Sequence, residues 1–436
     1  MGMTVKNHLS GKVFILTAFS VLAAFFTYFV DAWIGQHLGP ETYGDFKVIL
    51  RFFHLLGHIG LLGQDLICVM LGSRYSKDGQ WGCFRGLLTW ITRVYLKRSL
   101  IFYGTLFLLV IIYQYRSDIF HGMLIHMTHP GFNQSFLFLL CVLPCLWASS
   151  LFEKYFVYKR YFYYAITPRM LLLPAVMWVG GTLFISSWTL NAAVTVYGVS
   201  FMVLMLIGLG MYGACREKVT ERAVFKINEW WRISLQFYAT TLVITSGRSL
   251  TLFLLELLGQ DEKSVGYFAA TSSIIVIFHL MVKPLESFLR PYVSSLLHDD
   301  RTQFHQVLVA CNRLRYALCI IYFAVLMFAP SFILSFYGQA FKPALSPMLL
   351  MAFCFLIYTL GQPNLDVLSF GGFQKESMWC VWGQIFLSIC LSVALMPAYG
   401  VWGAVIADGV SMALLVIVAS ILAQKKCGIH TWFVLR

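Results

Sequence analysis

Long apolar segments alternate with short polar segments from one end of the sequence to the other. A segment of about 20 apolar residues is long enough to cross a bilayer as an α-helix. Because hydrocarbon offers the backbone no hydrogen-bond partners, such segments favour helix over irregular chain. The pattern predicts twelve spans, at 11–36, 43–71, 98–115, 134–153, 162–186, 190–214, 230–257, 265–291, 312–336, 345–370, 378–396 and 400–424. It therefore predicts an all-α integral membrane protein with about twelve transmembrane helices.

The composition supports this prediction. The chain of 436 residues is 59% hydrophobic and 12% charged, whereas a soluble protein is nearer half apolar and a quarter charged. The eleven cysteines form no CxxC motif and lie mostly inside the spans, which favours apolar packing over disulfides or metal binding. We therefore expect no metal.

In a soluble protein a net charge of +13 would suggest nucleic-acid binding. In a membrane protein the distribution of the basic residues instead indicates topology. The basic residues lie mainly in short loops that fall on one side of the predicted membrane, and the opposite side holds Arg116, Lys263 and Lys342. Such an excess marks the cytoplasmic side. We expect both termini in the cytoplasm, and no nucleic acid as partner.

Two short segments resemble each other about half a chain apart. "LGPETYGDF" follows the first span and "LGQDEKSVGYF" follows the seventh, and both have an acidic residue and a glycine that opens the next helix. With six spans per half, this predicts a parallel repeat of the kind found in transporters. The expected domains are two pseudo-symmetric six-helix lobes, 1–228 and 229–436, around a central cavity.

Polar side chains interrupt the second span at helical spacing. Lys47, Arg51, His54, His58 and Asp65 are separated by four, three, four and seven residues, which places them on one face of a helix. A charged side chain at the centre of a bilayer costs roughly 3 kcal/mol, so this face should turn away from lipid. We expect it to line a cavity and bind an anionic substrate, although Lys47 could instead reach the outer surface and each histidine could serve as an interior hydrogen-bonding group.

The second half of the sequence offers two further cations at membrane depth. Arg248 lies in the seventh span among threonines and serines, and Lys283 lies in the eighth span on one face with His279 and Glu286. We expect Arg248 and Lys283 to contribute to the same substrate site. Since Glu286 can pair with Lys283, a structural ion network is the alternative there.

Acidic residues within or near the spans are candidates for coupling to Na⁺ or H⁺. They are Asp31, Asp65, Glu256, Asp366 and Asp408. Each of them could equally pair with a nearby cation, since isolated charges are costly inside a membrane.

Three segments resemble one known family. "LGPETYGDF", "RPYVSSLL" at the end of the eighth span and "MPAYGVWGAVIADGVSMALL" at Met396–Leu415 look like the polysaccharide-transporter branch of the multidrug/oligosaccharidyl-lipid/polysaccharide exporter superfamily. The resemblance covers nearly the whole chain in span order. It implies a V-shaped bundle of two six-helix lobes in the bacterial inner membrane.

The resemblance also implies a function. Such proteins are flippases that move undecaprenyl-pyrophosphate-linked oligosaccharides, of the O-antigen and lipopolysaccharide type, across the inner membrane by alternating access. A cavity arginine on the second span recurs among them, and Arg51 matches that position. Asp31 stands where lipid II flippases carry a basic residue, so lipid II is a less favoured substrate. A polysaccharide polymerase and glycosyltransferases are the expected partners.

Two alternatives stay open at this point. One is a cation-coupled multidrug exporter of the same superfamily, whose cavity should favour acids over bases. The other is a membrane subunit of a polysaccharide synthase complex that transports nothing itself. Because the sequence has no GxxxxGK[ST] motif and no Ser/His/Asp set of a hydrolase, we do not expect an enzyme.

Overall fold

A computed structural model describes the backbone of residues 2–115, 132–159, 161–185, 187–215, 220–258, 261–296, 301–370 and 372–429. The side chains of 2–17, 109–115 and 239–248, and of several single positions including Lys283, are outside the description. Within the described ranges the chain is almost entirely helical. The helices are α1 Gly2–Leu61, α2 Gln64–Lys77, α3 Trp81–Tyr115, α4 Phe132–Tyr158, α5 Phe162–Thr167, α6 Leu173–Phe184, α7 Leu190–Cys215, α8 Ile227–Leu258, α9 Glu262–Leu296, α10 Arg301–Phe328, α11 Pro330–Ser335, α12 Leu345–Phe370, α13 Gln374–Tyr399 and α14 Val401–Cys427.

These helices confirm the predicted fold class. Each predicted span coincides with helix over most of its length, and α5 and α6 are joined by a π-helical turn at Pro168–Leu172. Eight helices among the described residues are long and apolar enough to cross a membrane. The protein is therefore an all-α, multi-pass membrane protein.

Helix α1 contains the first two predicted spans. Gly39 lies between them with a φ of 74°, a conformation that glycine adopts without steric cost. Pro40 then opens the second half of α1, where its missing N–H leaves no hydrogen bond unmade. The predicted outer loop is thus reduced to a sharp kink.

Two predicted spans are interrupted. In the second span the helix is interrupted at Leu62 and Gly63, whose φ angles are 46° and 75°. Helix α2 then begins at Gln64. The ninth span is divided between α10 and α11, because Pro330 cannot continue the ladder of helical hydrogen bonds.

The chain divides into two compact units. The first consists of residues 1–47 and 247–436, and the second of 48–246. These units differ from the predicted lobes 1–228 and 229–436, since the first 47 residues group with the C-terminal part. Their contacts explain this grouping: Tyr43 packs edge-on against Tyr337, with ring centroids 5.7 Å apart. The division into two repeat-related lobes around a cavity stays a prediction.

In the first unit the two similar segments found in the sequence contact each other. A Cβ added to Gly266 would lie 1.9 Å from the carbonyl oxygen of Pro40, and one added to Gly44 would lie 3.0 Å from the backbone nitrogen of Gly266. Small residues allow helices to approach this closely. Lys263 and Glu41 add an exposed ion pair of 3.5 Å beside the crossing.

Each unit has its own packed core. In the first unit α9, α10, α12 and α14 bury a cluster that includes Leu289, Leu308 and Leu368. In the second unit α2, α3, α4 and α8 bury a more aromatic cluster that includes Trp90 and Trp230. The second core fixes the helices that surround the predicted basic face.

Candidate functional site

The basic face of the second span lies on the C-terminal half of α1. Arg51, His54 and His58 share one side of this helix and belong to the second unit. All three are partly exposed, whereas Ile49 and Phe53 on the opposite side are buried at 0% and 1% exposure. The apolar side therefore anchors the helix and leaves the basic face partly accessible, as the spacing in the sequence predicts.

His54 has a direct partner within the second unit. Its Nε2 lies 2.7 Å from the hydroxyl of Tyr197, and its ring packs edge-on against Phe201 with centroids 6.1 Å apart. This geometry fixes the orientation of the imidazole. The interior hydrogen-bonding role considered for this residue is the one that the structure shows.

His58 lies near a group of charged side chains from α4 and the π-helical turn. Glu153 bonds to Lys154 at 2.8 Å and to Arg169 at 3.4 Å, and all three act electrostatically on His58. Glu153 and Lys154 lie at the end of the fourth predicted span, and Arg169 lies two turns inside the fifth; the sequence analysis assigned none of them to the site. Asp65 also acts electrostatically on Lys154, so the two acids and two cations of this group carry no net formal charge.

Lys47 lies in the first unit and pairs with Asp31. Its Nζ contacts Asp31 Oδ1, while Tyr43 and Tyr337 donate to Asp31 Oδ2 at 2.8 and 3.0 Å. The hydroxyl of Tyr43 also lies 3.4 Å from that of Ser273. Lys47 was predicted as a substrate ligand and Asp31 as an ion-coupling acid. In the structure the two side chains form an ion pair inside a shell of hydroxyl groups, and both predicted roles stay predictions.

We expect the effects of substitutions at Asp31 and Lys47 on stability to be strongly non-additive. Asp31→Asn or Lys47→Met alone leaves one charge without its partner, and each should destabilise the protein by about 3 kcal/mol. The double variant should recover much of that loss, because neither charge remains. Thermal unfolding of the purified protein in detergent measures the coupling.

The ion pair of Glu41 and Lys263 provides the control. Its side chains are 45% and 52% exposed, so Glu41→Gln and Lys263→Met should each change stability by less than about 1 kcal/mol. Additive losses at Asp31 and Lys47 would contradict the coupling.

Two predicted ligands fall outside the described side chains. Arg248 lies in α8 and Lys283 lies in α9, but only their backbone positions belong to the described structure. Glu286, on the same helix as Lys283, is buried at 2% exposure and lies 3.9 Å from His279 Nδ1. The substrate role of Arg248 and Lys283 stays a prediction.

The remaining predicted acids occupy separate places. Asp65 is buried in the first turn of α2, beside the backbone N–H of Leu66. Asp366 and Asp408 are buried at 5% and 6% exposure, and Glu256 is exposed. Among the described residues no three His, Cys, Asp or Glu side chains lie close enough to hold a metal ion. Coupling to Na⁺ or H⁺ through these acids stays a prediction.

The sequence analysis missed several residues around these sites. Tyr43 and Tyr337 were not singled out, although a carboxylate within a span, such as Asp31, signals a need for hydroxyl donors. Arg315 was placed at the cytoplasmic surface, whereas it is 0% exposed within α10, and none of its guanidinium nitrogens has a hydrogen-bond partner among the described residues. No signal in the sequence distinguishes Arg315 from Arg313 beside it.

No protein-family model matches the sequence, and no curated protein matches it significantly. Solved structures do match. A multidrug resistance MATE family transporter of the MOP superfamily, in an inward-facing conformation, has a TM-score of 0.69 at 12% identity, covering 93% of this chain and 94% of that one. The lipid II flippase MurJ, in an inward closed conformation, has a TM-score of 0.70 at 13% identity, covering 93% and 87%.

A third match is a MOP superfamily transporter from Pyrococcus furiosus. It has a TM-score of 0.65 at 12% identity and covers 96% of both chains, and its structure is described as having a binding pocket of reversed polarity that suggests a different function. The three matches cover 87% or more of each matched protein. The chain therefore has the fold of the MOP superfamily transporters.

Proposed function

We propose that the protein is a flippase that moves a polyprenyl-pyrophosphate-linked oligosaccharide across the bacterial inner membrane by alternating access. The observation that carries this proposal is the partly exposed basic face of Arg51, His54 and His58 on α1. The likeness to solved transporters, MurJ among them, supports transport in general. A polysaccharide polymerase and glycosyltransferases remain the partners that we expect.

The chemistry of the basic face suits a phosphate-bearing head group. A guanidinium holds two phosphate oxygens at once through its planar fork, which a lysine cannot do. Arg51 lies at the start of the basic face, and His58 lies two turns further along the helix. Lys154 and Arg169 near His58 are each paired with Glu153, so Arg51 is the residue to which we assign the phosphate contact.

Lys47 has no substrate role in this proposal. Its charge is already used by Asp31, so recruiting it would break a pair held by two tyrosine hydroxyls. Arg248 remains the proposed second ligand from the C-terminal half, because its position along α8 corresponds to membrane depth in the sequence.

A multidrug exporter would need a cavity that attracts cationic drugs instead of an anionic head group. A cationic drug would be repelled by Arg51. The two readings therefore differ in the sign of the substrate that the protein moves, and this difference can be measured.

A reconstituted transport assay tests the proposal. Purified full-length protein in proteoliposomes should accelerate the transbilayer movement of a fluorescent polyprenyl-pyrophosphate oligosaccharide. It should not accelerate the same lipid glycan without phosphate, nor the uptake of ethidium as a cationic probe. Movement of ethidium alone would support the exporter, and movement of neither probe would support the non-transporting subunit.

A further inference from the structure

The interruption between α1 and α2 leaves a helix end inside the second predicted span. Leu62 and Gly63 both have positive φ angles, and Leu62 is the non-glycine residue with such an angle among those described. The last carbonyl groups of α1 therefore lose their helical N–H partners. A helix end of this kind carries partial negative charge and needs donors or a cation.

The side chain of Arg98 supplies that cation. It comes from the middle of α3, and its Nη1 donates to the carbonyl oxygen of Gly60 at 2.9 Å. The same nitrogen lies 3.4 Å from the carbonyl oxygen of Leu61 and 3.4 Å from Oε1 of Gln64. Three oxygen atoms thus converge on one charged nitrogen, in the manner of a coordination shell.

Helix α8 closes the other side of the interruption. The hydroxyl of Ser234 donates to the carbonyl oxygen of Leu62 at 2.6 Å. A Cβ on Gly63 would lie 2.3 Å from the backbone oxygen of Ser234, so the two chains touch directly. Trp231 places its ring 5.3 Å from the guanidinium carbon of Arg98, which holds the arginine in place.

In transporters with interrupted helices, the exposed carbonyl end of a half-helix is a common place for a coupling cation. We propose that the end of α1 is a cation-binding site and that Arg98 is its resident cation. An arginine stays charged at every physiological pH, so the site is permanently filled and takes no ion from solution in the wild-type protein.

This assignment gives Arg98 a positioning role. The filled site fixes the end of the helix that carries Arg51, His54 and His58, and it does so without an external ion. The inference concerns the fold of the second unit and stands whether or not the protein is a flippase.

Removal of the Arg98 side chain should leave a site that binds cations from solution reversibly. We expect Arg98→Ala to unfold at a temperature several degrees lower than wild type in detergent. Guanidinium chloride or sodium chloride, each at low millimolar concentration, should restore part of that loss with saturation, because a ligand that binds only the folded state stabilises it. Choline chloride at equal ionic strength should not, since choline is too bulky for the carbonyl oxygens.

Three variants control the result. Arg98→Lys keeps a tethered charge and should be insensitive to added cations. Arg93→Ala, on the same helix, removes an exposed arginine that stacks over Phe225 and should give no saturable response. Ser234→Ala should lower stability without creating a response, because it removes a donor and leaves Arg98 in place.

Should Arg98→Ala fail to fold, Arg98→Gln serves in its place, because an amide of similar length fills the space without the charge. A folded Ala or Gln variant that shows no saturable response to guanidinium or sodium would overturn the proposal. So would a wild-type protein that responds as strongly as the variant. Thermal unfolding reads the site directly, so a negative transport assay leaves this test unaffected.

Discussion

Gly266→Ala should destabilise the protein by about 3 kcal/mol or more. Forcing extra atoms into a packed contact costs about 1–3 kcal/mol, occasionally more. Here the added Cβ would lie 1.9 Å from the carbonyl oxygen of Pro40. Because the obstructing atom belongs to the backbone, no side chain can rotate away, and the two helices must separate. The yield of monodisperse protein and its unfolding temperature in detergent measure the loss.

Gly383→Ala is the matched control for that variant. Gly383 also lies within a helix of the first unit, and nothing lies within 4 Å of the position of its added Cβ. Since alanine favours helix over glycine by about 1 kcal/mol, this change should be neutral or stabilising. Equal stability of the two variants would show that Gly266 and Pro40 do not touch in the folded protein.

Arg51→Ala should slow transport of the pyrophosphate-linked probe by about 10- to 100-fold, which corresponds to the loss of one hydrogen bond between charged groups. Arg51→Lys should recover part of the rate, because it keeps the charge and loses the planar fork. The rates come from the proteoliposome assay, normalised to the amount of folded protein.

Arg222→Ala provides the comparison for Arg51. Arg222 is an exposed arginine of the second unit, so its removal tests the effect of net charge alone. We expect a rate close to wild type. Wild-type rates in Arg51→Ala would remove this residue from the proposed site, and equal losses in both variants would point to general electrostatics.

The helices could be predicted from the sequence because their signal is local. Apolar length and the scarcity of charge decide whether a segment can lie in hydrocarbon, and both can be read within one span. The interruption at Leu62 could not be predicted this way. The apolar pattern continues through it, and the backbone turns there because Ser234 and Arg98 satisfy the freed carbonyl groups. Gly60 and Gly63 were the features of the sequence that could have indicated a break in the helix.

For the candidate site, too, the sequence predicted the arrangement along one helix but not the contacts between distant residues. Helical spacing correctly placed Arg51, His54 and His58 on one face. The same reasoning could not show that Lys47 is neutralised, because its partner Asp31 lies on the other side of the Gly39 kink. Gly44 and Gly266 were interpreted only as glycines that open the next helix, whereas in the structure they allow a close helix contact.

The shell around Asp31 has a consequence for biosynthesis. Lys47 follows Asp31 by 16 residues, and Tyr337 follows it by 306. At a synthesis rate of about 5–20 residues per second, neutralisation is available roughly 1 to 3 s after Asp31 leaves the ribosome, but the last hydroxyl arrives only after roughly 15 to 60 s. The nascent N-terminal hairpin thus enters the bilayer without net charge at this point, while a chain that stalls before Tyr337 retains an incompletely bonded carboxylate.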